Sequence, residues 1–461
     1  MKIRPSTGIL LVIVIMLNLF TSMYVSQSIL TRSAQLSDAT IEELRSEVAS
    51  LTAWVQYLTR FVEYKHGGTI VPDPEAVAGL RNELFSREMV VIGAIPATSR
   101  GYSDYVPYIN EIIEPALNAL AWELGSDIEF TFDIRDAQGQ AAIHLEEVQK
   151  LNSLGVNLIL GGMWSSHACA SLSYCNDNDI ILFSPSSTSP LKAIDGDNLF
   201  RLAPTDFKQG PVITNMILSK GVEALVVIYR GDAWADGIYN SFEEEFTSRG
   251  GILVKKMRYP GESTEFRKYL EDAESAALQA VEEFGWDKVG VELISFSEST
   301  NLIGQAKDYP TLYNLTWFGS DGTTKSQQMI DDIPEEVEHV KLYSPLPVVP
   351  ETEEYTRISS KYEEITGYPL GYYDACSYDI AMIFGKAVIE AGTADVDVLK
   401  EKIIEVCEDY QGITGLCRLD PADDRDVSNY GIYSYSFKDG ELGCWEVGMF
   451  SDTGEITWYE D

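Results

Sequence analysis

From about residue 88 onward, short apolar runs alternate with amphipathic segments. A short apolar run predicts a buried strand, whereas an apolar position every three or four residues predicts a helix. The predicted strands lie at 89–95, 128–134, 158–160, 180–183, 224–229, 252–258, 288–294 and 340–344, and helices are predicted at 106–122, 265–284, 353–366 and 372–391. The tail from residue 412 is predicted as a β-meander with turns at Asp420-Pro421 and Asp439-Gly440. Repeated strand–helix units indicate an α/β fold with parallel sheets covered by helices.

A chain of 461 residues is too long for one ordinary hydrophobic core. A second set of strand–helix units begins after the segment RLAPTD at 201–206. We therefore predict two doubly wound parallel-sheet lobes with a central cleft. The predicted first lobe comprises 88–203 and 345–411, and the second comprises 204–344 and 412–461.

The N-terminal segment carries an apolar run over 8–25, preceded by Lys2 and Arg4. The run is long enough to span a bilayer, and the positive flank is expected to stay cytoplasmic. We predict a membrane anchor over 1–35, which places the remaining chain outside the cytoplasm at the cell membrane. A cleaved signal peptide is the alternative, although the segment lacks a good small-x-small cleavage site.

A heptad pattern follows the apolar run. Its positions are Ile41, Leu44, Val48, Leu51, Val55, Leu58 and Val62. β-Branched residues at a and Leu at d favour a parallel pair of helices, so we predict a coiled-coil stalk over 36–64 and a homodimer through it. The alternative is an amphipathic helix that packs on the globular body. Gly67-Gly68, Pro72 and Pro74 indicate a linker over 65–87.

The formal net charge of −38 argues against nucleic-acid binding, because phosphates would be repelled. Four histidines and six cysteines without a CxxC pair predict neither a zinc site nor a cofactor. If the domain is extracellular, a disulfide among Cys407, Cys417 and Cys444 is the favoured pairing. Cys169 and Cys175 are expected to share one helix.

Motifs for enzymatic chemistry are lacking: the chain has no GxSxG, HExxH or GxxxxGK[ST] segment. We therefore predict a binding protein and not an enzyme. His167 is expected on a helix surface, and Asp423-Asp424 is expected in a solvated turn.

Two neighbouring strands end in loops of small and hydroxyl residues, GGMWSS at 161–166 and SPSSTSP at 184–190. Ligands of open α/β sheets bind beyond the carboxyl ends of strands, where helix N-termini favour anions. Ser165, Ser186 and Thr188 thus form a candidate carboxylate site. Asp321, at a later strand end, is a candidate partner for an ammonium group, although a turn residue in SDG is the alternative.

Two tryptophans, Trp164 and Trp234, are candidates for the apolar walls of the cleft, and Asp206 lies at the junction of the lobes. One anion site facing one carboxylate is the layout that an amino-acid zwitterion requires. The sequence therefore predicts a small-molecule ligand of the amino-acid type.

Five segments together resemble the Leu/Ile/Val-binding protein family, the type I periplasmic binding proteins that serve ABC transporters. They are GVNLILGGMWSS, DIILFSPSSTSP, NLFRLAPTDFKQGP, LVVIYRGDAWADGIYNSF and WFGSDG, in that order. The resemblance covers about 88–450. It implies two lobes joined by three crossings that close over a ligand by a hinge motion.

The resemblance also implies roles for individual residues. Ser165 matches the serine that binds the ligand carboxylate, and Ser186 and Thr188 match the loop that holds carboxylate and ammonium. Asp206 matches an acidic position at the first crossing, and Asp321 matches the acidic residue that binds the ammonium.

The aromatic positions depart from the family pattern. Trp234 lies where the family often has an aromatic residue, here in DAWADG. Phe296 lies near a strand end of the second lobe. Trp164 is bulky where a small residue is common, so the ligand need not be branched-chain.

Together these observations predict a membrane-anchored, extracytoplasmic substrate-binding protein. It would capture a branched-chain amino acid or a related small carboxylate for an ABC permease. The alternative from another class is the ligand-sensing ectodomain of a signalling complex.

Overall fold

The computed structural model describes residues 89–190, 194–393, 395–426, 429–451 and 454–459. The predicted anchor (1–35), stalk (36–64) and linker (65–87) lie outside these residues. Within the described ranges, no helix is both long enough and apolar enough to cross a membrane.

Fifteen strands are present in the described residues. They are β1 Met89–Ala94, β2 Glu129–Ile134, β3 Leu158–Leu160, β4 Ile181–Ser184, β5 Leu199–Arg201, β6 Ala224–Gly231, β7 Ile252–Pro260, β8 Val289–Ile294, β9 Thr316–Gly319, β10 Tyr343–Pro347, β11 Gln411–Gly412, β12 Gly415–Leu416, β13 Tyr430–Lys438, β14 Glu441–Phe450 and β15 Ile456–Trp458.

The same part of the chain forms fourteen α-helices. They are α1 Ser99–Tyr108, α2 Glu114–Glu123, α3 Ala141–Ser153, α4 Ser165–Asp177, α5 Asp206–Ser219, α6 Ala233–Ser248, α7 Arg267–Phe284, α8 Ser299–Ala306, α9 Pro310–Tyr313, α10 Gln327–Asp332, α11 Pro334–His339, α12 Glu353–Thr366, α13 Tyr372–Ala391 and α14 Val396–Cys407. A π-helical turn, Ile109–Ile113, joins α1 to α2.

The first lobe is built on a five-stranded parallel sheet with the order β2-β1-β3-β4-β5. Every residue of β3 and β4 is buried, as expected for strands covered on both faces. One face packs against α1, α2 and α13, and the other packs against α3 and α4. The predicted doubly wound arrangement is confirmed in this lobe.

The second lobe has an eight-stranded sheet with the order β15-β14-β13-β10-β9-β8-β6-β7. Strands β6 to β10 are parallel, whereas β13, β14 and β15 pair antiparallel along one edge. The predicted parallel sheet is present over β6 to β10, and the predicted meander extends it along one edge. The turn at Asp439-Gly440, with φ of +53° and +88°, joins β13 to β14 as predicted.

Strand β10 continues through Pro345 to Pro347, although the sequence predicted its end at Ser344. Proline lacks an N–H group for a sheet ladder. β10 pairs with the parallel strand β9 only at Tyr343. Pro345 and Pro347 lie beyond that pairing and are paired only with the antiparallel strand β13. The crossing back to the first lobe therefore follows Pro347, and the predicted boundary at 344/345 falls inside a strand. The predicted boundary at 411/412 likewise falls inside β11.

Two of the three crossings between the lobes lie side by side. Arg201, at the end of β5, forms a buried ion pair with Asp424, with contacts of 2.5 Å and 2.6 Å. The backbone groups of Arg201 also bond to those of Asp423 and Arg425. The prediction that Asp423-Asp424 is a solvated turn is wrong, because Arg201 brings Asp424 into the junction.

All six cysteines lie in described residues, and none of them forms a disulfide. Cys407 and Cys417 are buried in the core of the first lobe, whereas Cys444 lies on β14 of the second. The favoured pairing among these three is therefore wrong. Cys169 and Cys175 share α4, as predicted.

Candidate ligand-binding site

The loops after β3 and β4 interlock through serine side chains. Ser184 Oγ accepts the backbone N–H of Ser187 at 2.9 Å and donates to Gly162 O at 2.9 Å. Ser186 Oγ donates to Met163 O at 2.6 Å. The Ser186 hydroxyl proton is thus used inside the protein, and this side chain does not serve as a donor to a ligand in this arrangement.

Two other hydroxyl groups are better placed to meet a ligand. Ser165, the first residue of α4, is 3% exposed and accepts hydrogen bonds from Ser187 Oγ and the Ser189 N–H, both at 3.3 Å. Neither bond uses the proton of the Ser165 hydroxyl. Thr188 Oγ1 is buried and makes no hydrogen bond to any residue that the structure describes. The free proton of the Ser165 hydroxyl, together with the N-terminus of α4, favours a carboxylate.

Two carboxyl groups lie beside these hydroxyls. Asp206 begins α5 and is 0% exposed, and its backbone N–H donates to Thr188 O at 2.8 Å. Gln209 links the two acids: its Nε2 donates to Asp206 Oδ1 at 3.1 Å, and its Oε1 accepts the Asp321 N–H at 3.0 Å. Within the described residues, Asp206 Oδ2 and Asp321 Oδ1 have no hydrogen-bond partner. We call Asp206 and Asp321 the acidic pair.

Burial raises the pKa of both members of the acidic pair. The neighbouring Asp321 carboxylate raises the pKa of Asp206 further, while Thr188 and Gln209 oppose the rise. The Thr188 hydroxyl lies near Asp206 but outside hydrogen-bonding geometry. For Asp321, the hydrogen bond from Tyr373 and the nearby Gln209 side chain partly offset the effect of burial on the pKa. Two desolvated carboxyl groups at one place favour a cationic partner with several N–H donors.

The two lobes touch around the acidic pair. The hydroxyl of Tyr373, on α13 of the first lobe, donates to Asp321 Oδ2 in the second lobe. Ser189 Oγ donates across the cleft to Ala233 O, at the start of α6, at 2.8 Å. The Asp321 carboxylate therefore takes part in lobe closure as well as offering its other oxygen to a ligand.

Three aromatic side chains, which we call the aromatic wall, line the same cleft. Trp164 of the first lobe stacks on Phe296 of the second with ring centroids 6.0 Å apart. Phe296 stacks in turn on Trp234 at 4.0 Å. The wall therefore crosses the cleft, and the rings of the two lobes are in contact.

His167 lies beneath Trp164 and is 0% exposed, so the prediction of a helix-surface position is wrong. Its ring stacks on that of His144, which comes from α3 packed against α4. Burial lowers the pKa of His144 to about 3 and that of His167 to about 4, so both rings are neutral near pH 7. His144 Nε2 accepts the Gly162 N–H at 2.8 Å, and its Nδ1 donates to Ser171 Oγ at 2.8 Å. This pair supports the loop that leads into Ser165.

The structure brings all eight predicted site residues to the junction of the lobes. The Ser186 hydroxyl is bonded to Met163 O, and the other seven residues stay candidates for ligand contact. The seven are Ser165, Thr188, Asp206, Asp321, Trp164, Trp234 and Phe296.

Two further residues of the site, Gln209 and Tyr373, were not predicted from the sequence. The spacing of Gln209 three residues after Asp206 on a helix is a signal for their contact. No local pattern reveals Tyr373, which is 52 residues from Asp321. Across the described ranges, no group of three His, Cys, Asp or Glu side chains is placed to hold a metal ion.

Comparison with known proteins agrees with this architecture. The model of the receptor family ligand binding region matches residues 121–437, more than half of the chain. An uncharacterised protein of Methanocaldococcus jannaschii is 29% identical over 399 residues, which cover 81% of this chain and 93% of that protein.

Solved structures of binding proteins share the fold. A leucine-binding protein of Thermotoga maritima has a TM-score of 0.64 at 19% identity, covering 77% of this chain and 97% of its own. A branched-chain amino acid transporter substrate-binding protein of Streptococcus pneumoniae, in complex with isoleucine, has a TM-score of 0.62 at 18% identity, covering 81% and 100%. A solute-binding protein of R. palustris, in complex with benzoate, has a TM-score of 0.62 at 16% identity, covering 78% and 96%.

The match over 121–437, the two α/β lobes and the cleft at their strand ends agree with the resemblance found in the sequence. The chain therefore belongs to the receptor family ligand binding region, whose members share the type I periplasmic binding protein fold.

Proposed function

We propose that the protein is an extracytoplasmic substrate-binding protein that captures an amino acid between its lobes for an ABC importer. The observation that carries the proposal is the acidic pair. Asp206 Oδ2, Asp321 Oδ1 and Thr188 Oγ1 are buried polar atoms without a hydrogen-bond partner in the described part of the chain. A buried polar atom left without a partner is costly, so such a group of atoms points to a ligand.

An α-ammonium group fits these three atoms. It carries one positive charge and three N–H donors, and the acidic pair with Thr188 offers three acceptors. The carboxylate of the same ligand is expected to meet the Ser165 hydroxyl and the N-terminus of α4. A ligand that binds through both groups contacts both lobes, so its binding free energy favours the closed form.

Of the structural neighbours described above, the S. pneumoniae protein is in complex with isoleucine and the R. palustris protein is in complex with benzoate. Benzoate has a carboxylate but no N–H donor, so it leaves the acidic pair without a partner. We therefore favour an amino acid over a benzoate. Trp164 is expected to reshape the side-chain end of the cleft relative to the branched-chain amino-acid binders.

A thermal-unfolding screen of the full chain tests this function. An amino acid at about one hundred times its Kd adds about 2.7 kcal/mol to the free energy of unfolding, which raises Tm measurably. Amino acids should raise Tm, and benzoate at the same concentration should not. A rise with benzoate alone, or with no amino acid, would overturn the proposal.

We further propose that residues 1–35 anchor the protein in the cell membrane and that 36–64 pair two copies. The apolar run and the heptads of the sequence support both parts. The mature protein should fractionate with membranes and retain its N-terminus, whereas an N-terminus beyond Ser26 would contradict the anchor. Import of the bound amino acid should be lost in cells that lack this chain, and unchanged import would contradict the transport role.

A further inference from the structure

The aromatic wall is formed by residues that lie next to both polar ends of the candidate site. Trp164 directly precedes Ser165, the candidate carboxylate partner. Gly322 directly follows Asp321, and a Cβ atom added there would lie 2.8 Å from Trp234 Cη2 and 2.9 Å from Phe296 Cδ1. An amino acid carries its carboxylate and ammonium on one Cα atom. Its side chain must therefore start beside this wall.

The spacing of the wall limits what fits between the lobes. The ring centroids of Trp164 and Phe296 are 6.0 Å apart, and their planes differ by 21°. A flat side chain inserted between two rings needs a carbon–carbon contact of about 3.5 Å on each side, or about 7 Å in all. An aliphatic branch is thicker than a ring. Neither group enters between Trp164 and Phe296 unless the lobes stand further apart than they do here.

Both sides of this contact are held in place. The Arg230 guanidinium lies 5.0 Å from the Phe296 ring centre, and it is bonded to Asp232 at 2.5 Å and to Glu298 at 2.8 Å. Trp164 stacks on His167 at 5.1 Å. Displacing either ring would break these contacts, so the wall is expected to be a fixed boundary and not an adaptable surface.

We propose that Trp164 and Phe296 close the side-chain end of the cleft and select amino acids with compact side chains, such as glycine and alanine. This inference rests on the proposed function, because it takes the ligand to be an amino acid bound through its zwitterion. Trp164 is then the specificity-determining residue. Larger amino acids bind only to a less closed form, in which Tyr373 and Asp321 are drawn apart.

The test is isothermal titration of the full chain with glycine, alanine, leucine and phenylalanine. The wild-type protein should bind alanine at least tenfold more tightly than leucine or phenylalanine. Trp164→Ala should raise the ratio of leucine affinity to alanine affinity at least tenfold over that of the wild-type protein. Trp164→Phe keeps a ring at the contact and should retain most of the preference for alanine.

Trp286→Ala is the matched control, because Trp286 is 52% exposed on a turn between α7 and β8. This variant should keep the wild-type ratio of affinities. Binding of leucine or phenylalanine as tightly as alanine by the wild-type protein would overturn the inference and leave the proposed function intact. If Trp164→Ala keeps the wild-type ratio of leucine affinity to alanine affinity, the inference is also overturned and the proposed function is unaffected. Absence of binding for all four amino acids would instead count against the proposed function.

Discussion

Asp321→Asn should make the free protein more stable while weakening ligand binding. Asp321 is 8% exposed, its Oδ2 accepts the Tyr373 hydroxyl, and its Oδ1 has no partner in the described residues. Asparagine has the same shape, keeps an acceptor for Tyr373 and removes the buried charge. Removal of the buried charge is expected to add about 1–3 kcal/mol to the free energy of unfolding, because the unpartnered amide left behind costs less to bury than a carboxylate.

The sign of the pH dependence follows from the raised pKa of Asp321. A carboxyl group whose pKa is higher in the folded than in the unfolded protein destabilises the fold at pH values above the unfolded pKa. The gain from Asp321→Asn should therefore be present at pH 7.5 and shrink as the pH falls toward the ordinary pKa of 3.8.

Asp321→Asn should weaken ligand binding, although it stabilises the free protein. Loss of one partner of a desolvated ammonium–carboxylate pair costs about 2–5 kcal/mol, which is about 30-fold to a few thousand-fold in Kd. Urea denaturation without ligand and isothermal titration with alanine measure the two effects. A variant that is less stable than wild type, or that binds alanine equally well, would contradict a buried, ligand-binding charge at Asp321.

Glu292 provides the matched control. It is 0% exposed within β8, its register neighbours are Val227 and Phe318, and neither of its oxygens has a partner among the described residues. Burial raises the pKa of Glu292 to about 8. Glu292→Gln should likewise stabilise the protein at neutral and alkaline pH, but it should leave alanine affinity unchanged because it lies inside the sheet. Equal losses of binding in both variants would indicate a general rearrangement of the second lobe.

Further predictions follow from the hydrogen bonds at the cleft and the crossings. Tyr373→Phe should weaken alanine binding by about tenfold in calorimetry, because a hydrogen bond to a charged group contributes about 1.5 kcal/mol; an unchanged Kd would exclude Tyr373 from closure. Asp424→Ala leaves the Arg201 guanidinium buried without its partner and should lower the free energy of unfolding by about 3–5 kcal/mol in urea, whereas a loss below about 1 kcal/mol would contradict the buried pair. Since the pKa values of Asp206 and Asp321 are raised, alanine should bind more weakly at pH 5 than at pH 7.5, and equal affinity would contradict their role.

Much of the fold follows from local patterns in the sequence. The buried runs of β3 and β4 and the hydroxyl loops after them are short-range features, so periodicity predicted them. Helices α12 and α13 were predicted at 353–366 and 372–391, the bounds that the structure shows. The end of β10 was not predicted correctly. Its prolines fit in a strand because that part of β10 pairs only with β13, and this pairing depends on residues far away in the sequence.

The parts that the sequence did not reveal depend on distant contacts. Arg201 and Asp424 are 223 residues apart, and only the parallel course of two crossings brings them together. His167 is buried because α3 packs on α4, which no pattern within α4 indicates. The sequence indicated Asp206 by its position at a crossing and Asp321 by its position at a strand end. Tyr373 was not predicted, because its contact with Asp321 depends on how the two lobes meet.

The most direct test of the central claim compares alanine with propionate, its analogue without the ammonium group. Both are titrated into the full chain by calorimetry at pH 7.5. If the acidic pair and Thr188 bind an ammonium group, alanine should bind with a stoichiometry of one per chain, and propionate should bind at least about 100-fold more weakly. Propionate binding as tightly as alanine would contradict an ammonium site at Asp206 and Asp321.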